Sequence, residues 1–179
     1  MTSITLKQAN QIIETIIKRG AELECRPLSV VVVEPGCIVK AFQKEDGSSM
    51  VRFEMAFGKA YASLALGRSS TLVRIRNEEK PAFMRYLFSA TGDKIFPEGG
   101  GMLIRADDGD VIGAVGVTGD TEEKDEELAA PSASAPRDSR RTRTASTWAA
   151  ALTSERRNKL FAGRVIVPAS SFRRPDNAG

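Results

Sequence analysis

Arg52 and Lys59 stand seven residues apart, about two turns of an α-helix, so a helix over this segment points both cations the same way. Lys59 interrupts a row of small and apolar residues (Ala56, Phe57, Gly58, Ala60, Ala62), where a lysine is out of place unless it is paired or functional. Further along, Gly99, Gly100 and Gly101 supply consecutive backbone amides of the kind that cradle anions. A cationic pair facing that bend would hold a carboxylate. Plainer alternatives stand beside this reading: Arg52 and Lys59 are solvated, or pair with Glu54 and Glu45 across a surface, and the glycines are a flexible turn. The triplet is not followed by the Lys-Ser/Thr of a Walker loop, and the strand-then-helix setting of a dinucleotide site is missing.

The 179 residues contain no histidine. That excludes Ser-His-Asp and Cys-His catalysis and removes the commonest zinc and haem ligand. Cys25 and Cys37 match neither a disulfide framework nor a zinc pattern, which points to a reducing compartment. Apolar residues make up 41% and charged residues 27%, the balance of a soluble globular protein. The net charge is only +3, and the excess is local: residues 130–179 hold ten Arg/Lys and three Asp/Glu. A dedicated nucleic-acid binder is therefore not expected, beyond weak contacts by that basic segment. The opening residues lack the apolar centre of a signal peptide, and no run of eighteen apolar residues occurs, so the expected location is cytoplasmic, away from membranes.

The elements that must position these groups follow from spacing. Thr5 with Gln8 fits a capping box, and Leu6, Ala9, Ile12, Ile13, Ile16 and Ile17 form one helical face that should end between Gly20 and Glu24. Leu28–Val33 is a continuous β-branched run, the pattern of a strand buried on both faces, and Pro35-Gly36 turns it into a returning strand over 38–43. Cys37 lies at this turn, either accessible or packed as a small apolar residue. Helical spacing over 50–66 carries small residues that permit close approach to a neighbour. Pro81 opens a helix to about Ser89, strands are expected over 102–105 and 111–118, and an acidic helix over 121–129. From Ala130 the composition turns to Ala, Pro, Ser and Arg without a period. This gives an expected division into a domain over 1–129 and a disordered low-complexity tail over 130–179.

Several segments, in order and spacing, resemble the GlcG/HbpS-like haem-binding family, which includes the C-terminal domain of a cobalamin adenosyltransferase. They are VVVVEPG (30–36), KEDGS (44–48), GKAY (58–61), SS (69–70), FPEGGG (96–101) and VIGAVGVTGD (111–120), followed by Asp125. The resemblance implies an α/β (α+β) fold, an antiparallel sheet of about five strands flanked by helices in a profilin-like layered arrangement. It also implies a homo-oligomer that binds a small molecule, haem or a related tetrapyrrole. Glu34 stands where the family usually has Asp, and the sequence offers neither His nor Thr at the matching haem-ligand positions. Iron donors would have to come from Cys37, Tyr61, Met50, Met55, Met102 or Lys59, with Cys37 and Tyr61 as the metal candidates. Anion-binding candidates are Arg52, Lys59, Glu34, Gly99, Gly100 and Gly101. Were the protein instead a cofactor-free enzyme that tautomerises or hydrates a small organic acid, Lys59 and Arg52 would orient the carboxylate while Glu54 or Tyr61 moved a proton. A third alternative is an interaction module.

Overall fold

The computed structural model describes residues 3–132. Helix α1 (Leu6–Glu22) starts at Thr5, whose hydroxyl accepts from the Gln8 amide at 3.3 Å while the Gln8 side chain accepts from the Thr5 amide at 3.0 Å. Its buried stripe is Ala9, Ile13, Ile16 and Gly20. Strands β1 (Ser29–Glu34) and β2 (Ile38–Lys44) form a hairpin, followed by α2 (Arg52–Leu66), α3 (Ser70–Glu79), α4 (Pro81–Ala90), β3 (Gly101–Arg105), β4 (Val111–Thr118) and α5 (Glu122–Ser132). The sheet order is β2-β1-β4-β3 and every pairing is antiparallel.

Four strands form, where the family resemblance implied about five. All four occupy apolar runs visible in the sequence. Helix α3 has no counterpart in the sequence reading, because Ser70, Thr71 and Val73 are its only buried residues and leave almost no apolar stripe. Helix α5 continues through Pro131 to Ser132, past the expected end at Ala129. The expected disordered tail lies, from residue 133 onward, outside the described residues.

β1 divides two cores. Leu28, Val30 and Val32 join Val115, Val117, Met102 and Ile104 beneath α1 and α5, while Val31, Val33 and Ala114 pack against Ala56 and Ala60 of α2. A third cluster of Ala62, Val73, Met84 and Ile95 fastens α3 and α4 to α2. Helix α2 lies directly on the sheet because β4 carries Gly116 beneath it. A Cβ there would sit 1.9 Å from the Ala56 carbonyl oxygen, so only glycine lets the two backbones approach this closely. No helix among the described residues is long and apolar enough to cross a membrane.

Candidate functional site

The close seating of α2 puts Lys59 inside the protein, 1% exposed, over the end of β4. Its ammonium donates to Asp125 Oδ2 at 2.8 Å and to the Val117 carbonyl at 3.0 Å. Arg52, two turns earlier, donates to Thr118 Oγ1 at 3.0 Å and to the Gly119 carbonyl at 3.4 Å, while its Nε is buried without a partner. The two cations do point the same way, toward consecutive residues at the exit of β4.

The triple-glycine bend meets this network, and the carboxylates it holds are the protein's own. Gly99 N–H donates to Glu122 Oε1 and Gly100 N–H to Glu126 Oε2, both at 2.8 Å, and Gly101 N–H donates to Ser70 Oγ at 2.7 Å. Arg74 Nε donates to the same Glu122 oxygen at 2.7 Å. Acidic residues of α5 thus seat on the amides and on Lys59 from one side, locking the last described helix onto the sheet. A buried ion pair of this kind needs its full set of hydrogen bonds to offset desolvation, and Asp125 Oδ1 gains one more from the Asp120 amide at 3.1 Å.

Glu126 is the discordant member. Burial pushes its carboxyl above the usual carboxylate range, opposed by the Gly100 amide. Its Oε1 and the Thr71 hydroxyl are buried without hydrogen-bond partners; Thr71 lies near enough to favour the anion but outside bonding geometry. Because the folded state binds a proton more tightly than the unfolded chain does, the native state loses stability as pH rises through the ordinary Glu range toward the raised folded value. Glu126→Gln should therefore raise stability at neutral pH by about 1 kcal/mol and flatten the loss of stability that sets in as pH rises above the ordinary Glu range, as read by urea unfolding at several pH values.

The other sequence candidates fall elsewhere. Glu34 pairs with Lys40 at 2.7 Å and accepts from Ser3 at 2.9 Å, and these partners hold its carboxyl below the usual range. Glu54 is exposed on α2. Lys59, Glu54 and Tyr61 consequently occupy an interior ion pair, a solvent face and a cavity wall.

That wall belongs to an open cavity of about 590 Å³ between the β1–β2 turn and the C-terminal half of α2. Pro35, Gly36, Cys37, Tyr61, Leu64, Ala65, Asp110 and Val111 line it. The turn is closed by the Cys37 amide donating to the Glu34 carbonyl at 3.0 Å, and Cys37 adopts φ +61°, the left-handed region that disfavours a side chain. Burial pushes its thiol up, and nearby Lys94 pulls it back. Lys94 is exposed and places its ammonium 5.9 Å from the centre of the Tyr61 ring, which continues an aromatic row with Phe57 (5.9 Å) and Phe53. The cavity thus gathers Cys37 and Tyr61, two candidates from separate elements. Sequence reasoning missed Asp110 and Leu64 on this wall and Lys94 beside Tyr61, and Ser70, Thr71, Arg74, Glu122 and Glu126 at the bend. Ser69 before Ser-Thr-Leu-Val, with Pro81 following the segment, was the available signal for the helix that carries three of them.

Solved structures share this fold. Klebsiella pneumoniae protein ORFY matches with 26% identity over 74% of this chain and 89% of its own, with a TM-score of 0.66. A PduOC:haem complex matches at 22% identity, 74% and 93% coverage and TM-score 0.65. A double mutant of Streptomyces reticuli HbpS matches at 20%, 74%, 86% and 0.64. No curated protein matches the sequence. The family model for haem degrading protein HbpS-like covers residues 4–133, which is most of the chain and includes the ion-pair network, the glycine bend and the cavity. The chain belongs to the HbpS-like family.

Proposed function

We propose that the protein binds haem or a related tetrapyrrole in the cavity beside the β1–β2 turn. The observation that carries this reading is the convergence of Cys37 and Tyr61 on one cavity wall within a chain of the HbpS-like family. Its volume, about 590 Å³, falls within the ~300–1,000 Å³ of small-molecule sites. Pro35, Leu64, Ala65 and Val111 offer an apolar surface for a macrocycle, thiolate and phenolate are both known axial donor types, and the exposed Lys94, outside the lining but beside Tyr61, suits a ligand carboxylate. Asp110 is the one lining group that opposes an anionic ligand, and it favours an orientation with the carboxylates turned toward Lys94. An iron tetrapyrrole would bring a metal with an open coordination position to this wall. The PduOC:haem complex, a structural relative by fold, is consistent with the ligand class.

The chain's residues then act as binding groups. Leu64 and Val111 exclude water, Lys94 neutralises a carboxylate, and the turn 35–37 fixes the donor side. The Lys59 network holds α2 and α5 in place. The same reading keeps the homo-oligomer, which would cover Ile38 and Val39 on the β2 edge and Met50 and Val51 ahead of α2, all exposed here. Titrating the protein with haemin should give a shifted Soret band that saturates near one haemin per chain at micromolar concentration. A spectrum that remains that of free haemin would remove the proposal.

A further inference from the structure

We propose that this cavity selects tetrapyrroles by where their carboxylates lie: Lys94 attracts an edge that carries them, and Asp110 turns away a macrocycle that carries them all round. The inference rests on the tetrapyrrole reading and deepens it by naming the class of macrocycle and the two residues that set the choice. Lys94 follows α4 and stands beside the wall, its ammonium 5.9 Å from the centre of the Tyr61 ring and near enough to Cys37 to act on the thiol. Asp110 belongs to the wall itself, at the turn between β3 and β4. Neither the Lys94 ammonium nor the Asp110 carboxylate has a hydrogen bond or an ion pair among the described residues, so both charges are open to a ligand. Two other cations at this end of the sheet are already engaged: Lys40 pairs with Glu34 at 2.7 Å, and Arg105 donates to the Gly109 carbonyl at 2.8 Å.

Apart from Asp110 the wall is uncharged, and Pro35, Leu64, Ala65 and Val111 offer no donor side chain. A carboxylate set against such a surface loses water without gaining a partner. Set beside Asp110, it meets a like charge, and two such charges about 4 Å apart in water cost about fivefold in affinity, more where the wall lowers the dielectric. A macrocycle with both carboxylates on one edge escapes both penalties by turning that edge to Lys94 and its apolar edges to Pro35, Leu64 and Val111. One with a carboxylate on each of its four pyrroles does not, because no rotation in its plane clears every charge from Asp110. The metal has no part in this discrimination, so metal-free compounds report it.

The test titrates the full chain as wild type, Lys94→Met and Asp110→Asn with three such compounds: protoporphyrin IX, which has two carboxylates on one edge, its dimethyl ester, which has none, and coproporphyrin III, which has one on each pyrrole. Both side chains are exposed, so neither substitution disturbs the core. Asp110→Asn should raise coproporphyrin affinity by about fivefold and leave protoporphyrin within roughly twofold, a gain that loss of structure does not produce. Lys94→Met should weaken protoporphyrin binding by about fivefold and leave the dimethyl ester within roughly twofold. In about 1 M salt, where the screening length shrinks to about 3 Å, both differences should close. If wild type binds protoporphyrin but Asp110→Asn leaves coproporphyrin affinity unchanged, or if Lys94→Met weakens acid and ester alike, the selectivity falls while the cavity reading stands. If neither haemin nor protoporphyrin binds wild type, both fall together.

Discussion

Replacing Lys59 by alanine should lower the free energy of unfolding by about 3–5 kcal/mol, the largest single effect expected in this protein. The substitution deletes a cation that is 1% exposed and leaves Asp125, 2% exposed, as an uncompensated buried anion. It also strips the Val117 carbonyl of a donor and empties the volume of the four-carbon stem. Asp125→Ala should cost a comparable amount by orphaning the ammonium. The double variant Lys59→Met with Asp125→Leu should recover most of the loss, because replacing both members with apolar groups of similar volume removes the desolvation penalty along with the attraction. Urea unfolding of wild type, Lys59→Met, Asp125→Leu and the double variant gives the coupling energy directly. Additive losses in the double variant would mean that Lys59 and Asp125 do not form the pair described here.

The second large effect concerns the contact between α2 and the sheet. Gly116→Ala places a methyl group 1.9 Å from the Ala56 carbonyl oxygen and 3.0 Å from the Ala60 amide nitrogen, both backbone atoms of α2. No rotamer change relieves that clash, so helix or strand must shift. Overpacking of this kind typically costs ~1–3 kcal/mol, and the backbone identity of the neighbours places this variant at about 3 kcal/mol. Since α2 carries Tyr61, Leu64 and Ala65 on the cavity wall, haemin affinity should fall in the same variant. A thermal unfolding midpoint equal to wild type would show that α2 sits further from β4.

Much of this arrangement is legible in residue order alone. Thr5 and Gln8 announce the start of α1, four successive valines mark the strand buried on both faces, and Gly113 and Gly116 foretell something packed tightly on β4. Lys59 among alanines and glycines correctly reads as a lysine that needs a partner. The partner itself is 66 residues away and carries no periodic signal, so Asp125 enters the sequence reading only as a motif position. The glycine amides likewise read as an anion cradle, and only the fold reveals that Glu122 and Glu126 of α5 fill it. Helix α3 escapes notice because burial of two polar residues and one valine leaves no apolar stripe to detect. The cavity escapes it because Cys37, Tyr61 and Asp110 are brought together by tertiary packing from three separate segments.

The location of the ligand is the claim on which the functional account depends, and amide chemical-shift mapping with diamagnetic zinc protoporphyrin tests it most directly. Perturbations are expected to cluster at Gly36, Cys37, Tyr61, Leu64, Ala65 and Val111, leaving Gly99, Gly100 and Gly101 unmoved. Shifts concentrated on the glycine bend and the face of α5, with the turn 35–37 silent, would contradict the account.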